Sequence, residues 1–278
     1  MGLLITVEGG EYVGKTSLVV PALKTFLEAA GIETITSREP GGTLEGEKIR
    51  EKIFKRLKEG ATAKELTLLF NEARRIHLDT IIIPFLGQNK EKGRVVILDR
   101  YLDSTRVYQG LEGGVPLTEI KALENQYVKG YYPDITFILY FPEEVFKKVF
   151  YVRKHYALSH LPSVKKRSLT DWDAASVEKH LIRQRYYLKL PRLAAKLGEK
   201  RRFFLINAAR RPSEVVQEVV FKCAPLILRD KTILAKVKTS KELLLLFEQI
   251  KKKRLLKNME NLWLNQQNSL KFDKYQKN

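Results

Sequence analysis

Apolar residues along the chain come in two patterns, short unbroken runs and longer stretches with helical spacing. Residues 3–7, 33–36, 94–98, 134–141 and 202–206 read as strands. Several are continuous β-branched or aromatic runs, the pattern of strands buried on both faces. Residues 15–30, 44–58, 63–86, 116–129, 143–156, 174–197 and 212–222 carry apolar positions three and four apart and read as helices. Strands alternating with helices of this length predict an α/β fold, a parallel five-stranded sheet with helices on both faces. Ligands in such sheets collect beyond the carboxyl ends of the strands. The segments that follow the first, second and third strands should therefore share one rim.

The segment after the first strand is Gly9-Gly10-Glu11-Tyr12-Val13-Gly14-Lys15-Thr16, followed by Ser17. It fits the phosphate-loop pattern G-x-x-x-x-G-K-[ST] in the required context of strand, loop and helix start. Gly9 and Gly14 let the backbone turn tightly. Successive N–H groups then point into the loop, at the positive end of the following helix. Lys15 is placed to reach the outer phosphates of a nucleoside triphosphate, and the Thr16 hydroxyl to ligate Mg2+. The plain alternative is a structural glycine turn.

Composition bounds the remainder. A chain of 278 residues, 44% hydrophobic, can bury a full core. The single cysteine, Cys223, excludes an internal disulfide and every Cys-based zinc spacing, which fits a reducing cytosol. The first apolar run is too short for a signal peptide or a membrane span. Met1-Gly2 with Thr6 matches a myristoylation pattern, but that stretch is needed as the first strand. The net charge is +19. It suits either an enzyme of phosphorylated substrates or a nucleic-acid binder. Residues 225–278 hold 13 of the basic and 5 of the acidic side chains and read as a basic, partly helical C-terminal extension to a body at 1–224. Leu243, Leu246, Phe247 and Ile250 form a helical stripe there, ahead of the KKKR run at 251–254. Residues 153–172 read as a basic lid.

Further candidates cluster around the predicted rim. Arg38-Glu39-Pro40-Gly41-Gly42-Thr43 follows the second strand, and Asp99-Arg100-Tyr101 the third, with Asp103, Ser104, Thr105, Tyr108 and Gln109 beyond. Phe70 and Arg74 stand four apart on a predicted helix and so share a face. A ring and a guanidinium so placed can stack on a planar base and bond its edge. Arg50, in a charged helix, reads equally well as a solvated side chain. His77, His155, His160 and His180 show no ligand spacing.

Five segments in order, EGGEYVGKT, REPGGT, LLFNEAR, DRYLDSTRVYQG and YYPDITFIL, together closely resemble the bacterial thymidylate kinases. The resemblance spans roughly residues 3–222. It implies a P-loop kinase fold, usually a cytoplasmic homodimer, that converts dTMP and Mg·ATP to dTDP and ADP. It implies that residues 9–16 hold the ATP phosphates, with Thr16 and Asp99 serving Mg2+. Glu11 would approach the deoxyribose 3′-hydroxyl and magnesium waters. Arg38 and Arg100, assisted by Arg50, would clamp the acceptor phosphate. Phe70 would stack on thymine and Arg74 bond its edge. Ser104, Thr105 and Gln109 would complete base and sugar recognition, and Tyr108 disfavour a ribose 2′-hydroxyl.

This chain departs from the family at three places. Tyr12 stands where small residues or an arginine are usual. Leu139-Tyr140 replaces Leu-Asp. The lid lacks the arginine-rich pattern and offers Arg153, Lys154, Lys165, Lys166 and Arg167 without singling one out. Two alternatives therefore stay open: a kinase of another nucleoside monophosphate or deoxynucleoside, and a catalytically weak relative that binds nucleic acid through its extension.

Overall fold

In a computed structural model, the structure describes residues 2–160 and 175–229. Five strands form one parallel sheet: β1 (Leu3–Gly9), β2 (Thr34–Arg38), β3 (Val95–Asp99), β4 (Ile135–Tyr140) and β5 (Arg202–Asn207), in the order β2-β3-β1-β4-β5. The order follows from the residues. β1, β3 and β4 are nearly continuous buried runs and take the centre, whereas β2 and β5 each bury a single position fully and take the edges.

Alternation of side chains divides the core in two. Ile5 and Val7 face a layer made with α1 (Val20–Ala29) and the last helix, through Leu23, Phe26, Val216 and Val219. Leu4 faces the other side, with Val96, Leu98, Leu78, Ile82 and Leu86. Thr6 and Glu8 share the face of Leu4. The Thr6 hydroxyl meets Thr136 at 3.0 Å, and Glu8 is fully buried.

Caps fix where helices begin. Thr43 accepts the Gly46 N–H at the start of α2 (Leu44–Lys58). Thr62 and Glu65 satisfy each other's N–H in a capping box that opens α3 (Ala63–His77). The predicted helix at 63–86 is one helical path in three pieces: α3, a π-turn Leu78–Ile82, and α4 (Ile83–Leu86).

Two differences from the sequence reading matter. Leu102–Thr105 (α5) and the π-turn Arg106–Glu112 are helical, although no apolar stripe marks them. Their Asp103, Thr105, Arg106 and Gln109 side chains are buried polar groups, which hides the periodicity. The last helix runs past 222, through Pro225, to Arg229, so no break falls at 225. In chain order the others are α6 (Leu117–Val128), α7 (Glu143–His160), α8 (Val177–Lys196) and α9 (Pro212–Arg229). The stripe at 243–250, the KKKR run and the lid cations Lys165, Lys166 and Arg167 lie outside the described residues.

Candidate active site

The sheet register builds the rim. Arg38 pairs with Asp99 across β2 and β3, and Val7 with Asp99 across β1 and β3. Arg38 and Asp99 are thus the last residues of their strands rather than the first after them. The phosphate loop leaves β1 beside both.

Gly9 has φ 131°, and a Cβ there would stand 2.4 Å from the Leu139 carbonyl oxygen, so only glycine lets β1 turn out this close to β4. Gly14 has φ 94°, while a Cβ on Gly10 would meet nothing within 4 Å, which leaves the concave side open. Val13 is buried and anchors the loop. Tyr12 adopts φ 62°, rare for a bulky residue. Its ring packs edge-on against Phe150 of α7 with centroids 5.3 Å apart. The unusual residue thus ties the loop to α7.

Lys15 is buried and donates to the carbonyl oxygens of Gly9 (3.2 Å) and Gly10 (2.6 Å). Burial, then the nearby Arg100, holds its pKa below the usual lysine range against Glu11, Asp99 and Glu8. Thr16 and Ser17 are exposed at the helix start, and the Thr16 hydroxyl donates to Asp99. Two hard oxygen donors beside an N–H-lined loop fit Mg2+, which takes few protein ligands and fills its shell with phosphate and water. Among the described residues no group of three or more His, Cys, Asp or Glu forms a metal cage.

The acceptor side is crowded with arginines. Arg100 pairs with Glu11 and donates to Gly9 O (3.0 Å), the Tyr187 hydroxyl (2.6 Å) and Ser104 (3.2 Å). Arg38 is half exposed and bonds Glu47 at 3.0 Å, and Glu47 also accepts the Gly42 N–H. Arg74 is almost fully buried. Its guanidinium donates to Glu39 (2.8 Å), Asn71 (3.0 Å) and Thr105 (3.2 Å), and lies 5.1 Å from the centre of the Tyr101 ring. Glu39 also bonds His77, whose second ring nitrogen meets Ser37. Phe70, one turn before Arg74, is half-buried, and Thr105 and Gln109 are buried. The ring of Tyr108 lies between 5 and 6 Å from the guanidinium carbons of Arg100 and Arg183.

Arg50 bonds the Pro40 carbonyl at 2.8 Å and lies over the Phe54 ring. Lys154 stands 6.0 Å from the Phe150 ring. Arg153 turns inward: Nη2 donates to Ala208 O at 2.9 Å, and Nη1 is 3.6 Å from where a Cβ on Gly14 would lie. Its Nε is enclosed with no hydrogen-bond partner among the described residues, and burial pulls its pKa down to about 10. Sequence reasoning passed over Glu8, Tyr187 and Arg183. Glu8 accepts the Tyr101 N–H and the Ser104 hydroxyl, while Arg183 makes a two-pronged bond to Glu112.

A rim that gathers a phosphate loop, a Thr–Asp pair and three arginines suits transfer of a phosphoryl group between two anions. Residues 7–219 match the family model described as Thymidylate kinase. The chain belongs to the thymidylate kinase family. Among solved structures it resembles the thymidylate kinase from Ehrlichia chaffeensis, with 25% sequence identity and a TM-score of 0.55. The match covers 80% of this chain and 98% of that one. The activity of a thymidylate kinase is phosphorylation of dTMP to dTDP with ATP and Mg2+, and the family match favours it over the two alternatives. No helix among the described residues is long and apolar enough to cross a membrane.

Proposed function

We propose that the phosphate loop and the Arg38–Arg74–Arg100 side form the donor and acceptor halves of one thymidylate kinase site. One observation carries this reading. Lys15 and Arg100 both donate to the same oxygen, the Gly9 carbonyl, at 3.2 and 3.0 Å. Two cations drawn onto one neutral oxygen form a place for anions, and a phosphoryl group moving between two phosphates is such an anion.

The roles divide by position. The loop N–H groups and Lys15 hold the donor phosphates. Thr16 and Asp99 would hold Mg2+, which supplies charge neutralisation at those phosphates. Arg38 and Arg100 grip the acceptor phosphate, and Arg50 assists them from the segment after Arg38, where it bonds the Pro40 carbonyl. Phe70 stacks on the base, and Arg74, fixed by Glu39 and Asn71, offers its remaining N–H groups to the base edge. Ser104, Thr105, Tyr108 and Gln109 line the sugar and base side. Glu11 holds Arg100 until the substrates arrive. Of the two described lid cations, Arg153 and Lys154, Arg153, with an enclosed Nε and no carboxylate partner among the described residues, is better placed to serve the donor nucleotide. The gain in rate comes from alignment and charge neutralisation.

The assembly is a cytoplasmic homodimer in this reading. Leu44 and Leu68 stand 74% and 44% exposed on two packed helices, apolar surface that a second copy would cover.

A coupled assay of ADP release tests the substrate class, comparing dTMP with dUMP, dCMP, dGMP and AMP. The expected result is turnover with dTMP well above the rest. Equal or better turnover with another monophosphate would overturn the assignment of the base pocket.

A further inference from the structure

Glu8 lies near the end of a strand otherwise built of Leu, Ile, Val and Thr, and its side chain is fully buried. A carboxylate so placed is costly unless its oxygens are hydrogen-bonded. One oxygen accepts the Tyr101 N–H and the other the Ser104 hydroxyl, both at 2.7 Å. Both partners follow Arg100 in the sequence, by one and by four residues. Arg100 has φ 68°, a left-handed conformation uncommon for a residue with a side chain. Its own N–H donates to Val7 O at 3.0 Å. β1 therefore clamps the Arg100 backbone from both sides, through Val7 before it and Glu8 after it.

The hydroxyls extend the clamp to the guanidinium. The Tyr187 and Ser104 hydroxyls are 2.8 Å apart, and both accept from Arg100 Nη1. A hydroxyl has one proton to give. With Glu8 ionised, Ser104 donates to Glu8, Tyr187 donates to Ser104, and both turn lone pairs toward Arg100. With Glu8 protonated on that oxygen, the acid donates to Ser104 and the order of the chain reverses.

We propose that Glu8 is the positioning residue of the acceptor-phosphate site, fixing the Arg100 backbone through Tyr101 and setting the direction of the Tyr187–Ser104–Glu8 hydroxyl chain. This rests on the reading that Arg100 grips the acceptor phosphate. The charged and titratable groups around Glu8 are Asp103 and Arg100 after β3, Lys15 in the phosphate loop and Tyr187 on α8. Burial, then Asp103, raises the Glu8 pKa to about 7, against Arg100 and the two hydrogen bonds. The chain therefore runs from Tyr187 toward Glu8 above that pH and in the opposite direction below it.

The test measures kcat and both KM values between pH 5.5 and 9 for wild type, Glu8→Gln, Ser104→Ala and Arg100→Ala. At pH 8, Glu8→Gln should lose about 10- to 100-fold in kcat/KM for dTMP, as expected for a misplaced binding group, with KM for ATP unchanged. The acceptor phosphate ionises near pH 6 and bends every profile. A further bend near 7 should appear in wild type alone, so that the wild-type and Gln curves converge at low pH. Ser104→Ala breaks the chain while leaving every β1 residue and the Tyr101–Glu8 bond in place, and should lose the same bend even if Glu8→Gln fails to fold. Parallel curves for wild type and whichever of these variants folds, or equal losses for dTMP and ATP, would overturn the proposal. If Arg100→Ala leaves KM for dTMP unchanged, the acceptor-phosphate reading fails. If Arg100→Ala raises that KM while the other two variants behave as wild type, the positioning role alone fails.

Discussion

Two buried charge clusters in this molecule are built on opposite rules. Behind the Arg100 segment, Arg106 bonds Glu124 and Glu199, Arg201 makes a two-pronged bond to Asp103, and Lys121 bonds Glu199 at 2.6 Å. Three cations meet three carboxylates. Burial works against the charge on Arg106, yet Glu124 and the bonds to it and Glu199 hold its pKa well above the usual range. Glu199 is pulled down to about 2 despite its own desolvation, by Arg106, Arg201 and Lys121. At the rim, Lys15 rests on two carbonyl oxygens and Arg153 on one, and Lys15 is pushed below its usual pKa. Fully matched charge holds elements together, whereas charge parked on main-chain oxygens is held ready for an anion that comes and goes.

Variants on the two sides of this comparison should fail in opposite ways. The largest effect on rate is expected from Lys15→Met, a loss of about 100-fold or more in kcat. Removing a desolvated ammonium leaves no carboxylate stranded, so the melting temperature should stay level or rise. Arg106→Met should do the reverse. It strands Glu124 and takes from Glu199 one of its three cations, and should cost about 3–5 kcal/mol of stability, lowering the melting temperature by about 10 °C. Activity per folded molecule should stay near wild type. Thermal melts and initial rates on the same preparations check both. A folded Lys15→Met enzyme with normal kcat, or a normally stable Arg106→Met protein, would break the comparison.

The sheet and the phosphate loop were legible in the sequence because each depends on local pattern. Unbroken apolar runs mark the strands, and the spacing of Gly9, Gly14, Lys15 and Thr16 marks the loop. The helical segment at 102–112 was hidden because its polar side chains are spent on distant partners, such as Glu124 and Arg201. Glu8 was passed over for the same reason: the groups it binds lie 93 and 96 residues on. Arg74 was placed on a face shared with Phe70, but its fixing by Glu39, 35 residues earlier, depends on tertiary packing. Among the lid cations, spacing singled out none. The inward turn of Arg153 toward Ala208 and Gly14 separates it from Lys154.

Arg74 belongs to both sides of the comparison, since it is matched to Glu39 and, in the proposed function, keeps N–H groups for a base edge. The central claim, that donor and acceptor nucleotides are held by separate parts of one rim, is tested most directly there. Calorimetric titration of Arg74→Gln with dTMP and, separately, with ATP gives both affinities for one folded protein. The account predicts that dTMP affinity falls about 10- to 100-fold, the worth of a lost charged hydrogen bond, while ATP affinity stays at the wild-type value. An equal fall for both nucleotides, or no fall for dTMP, would contradict it.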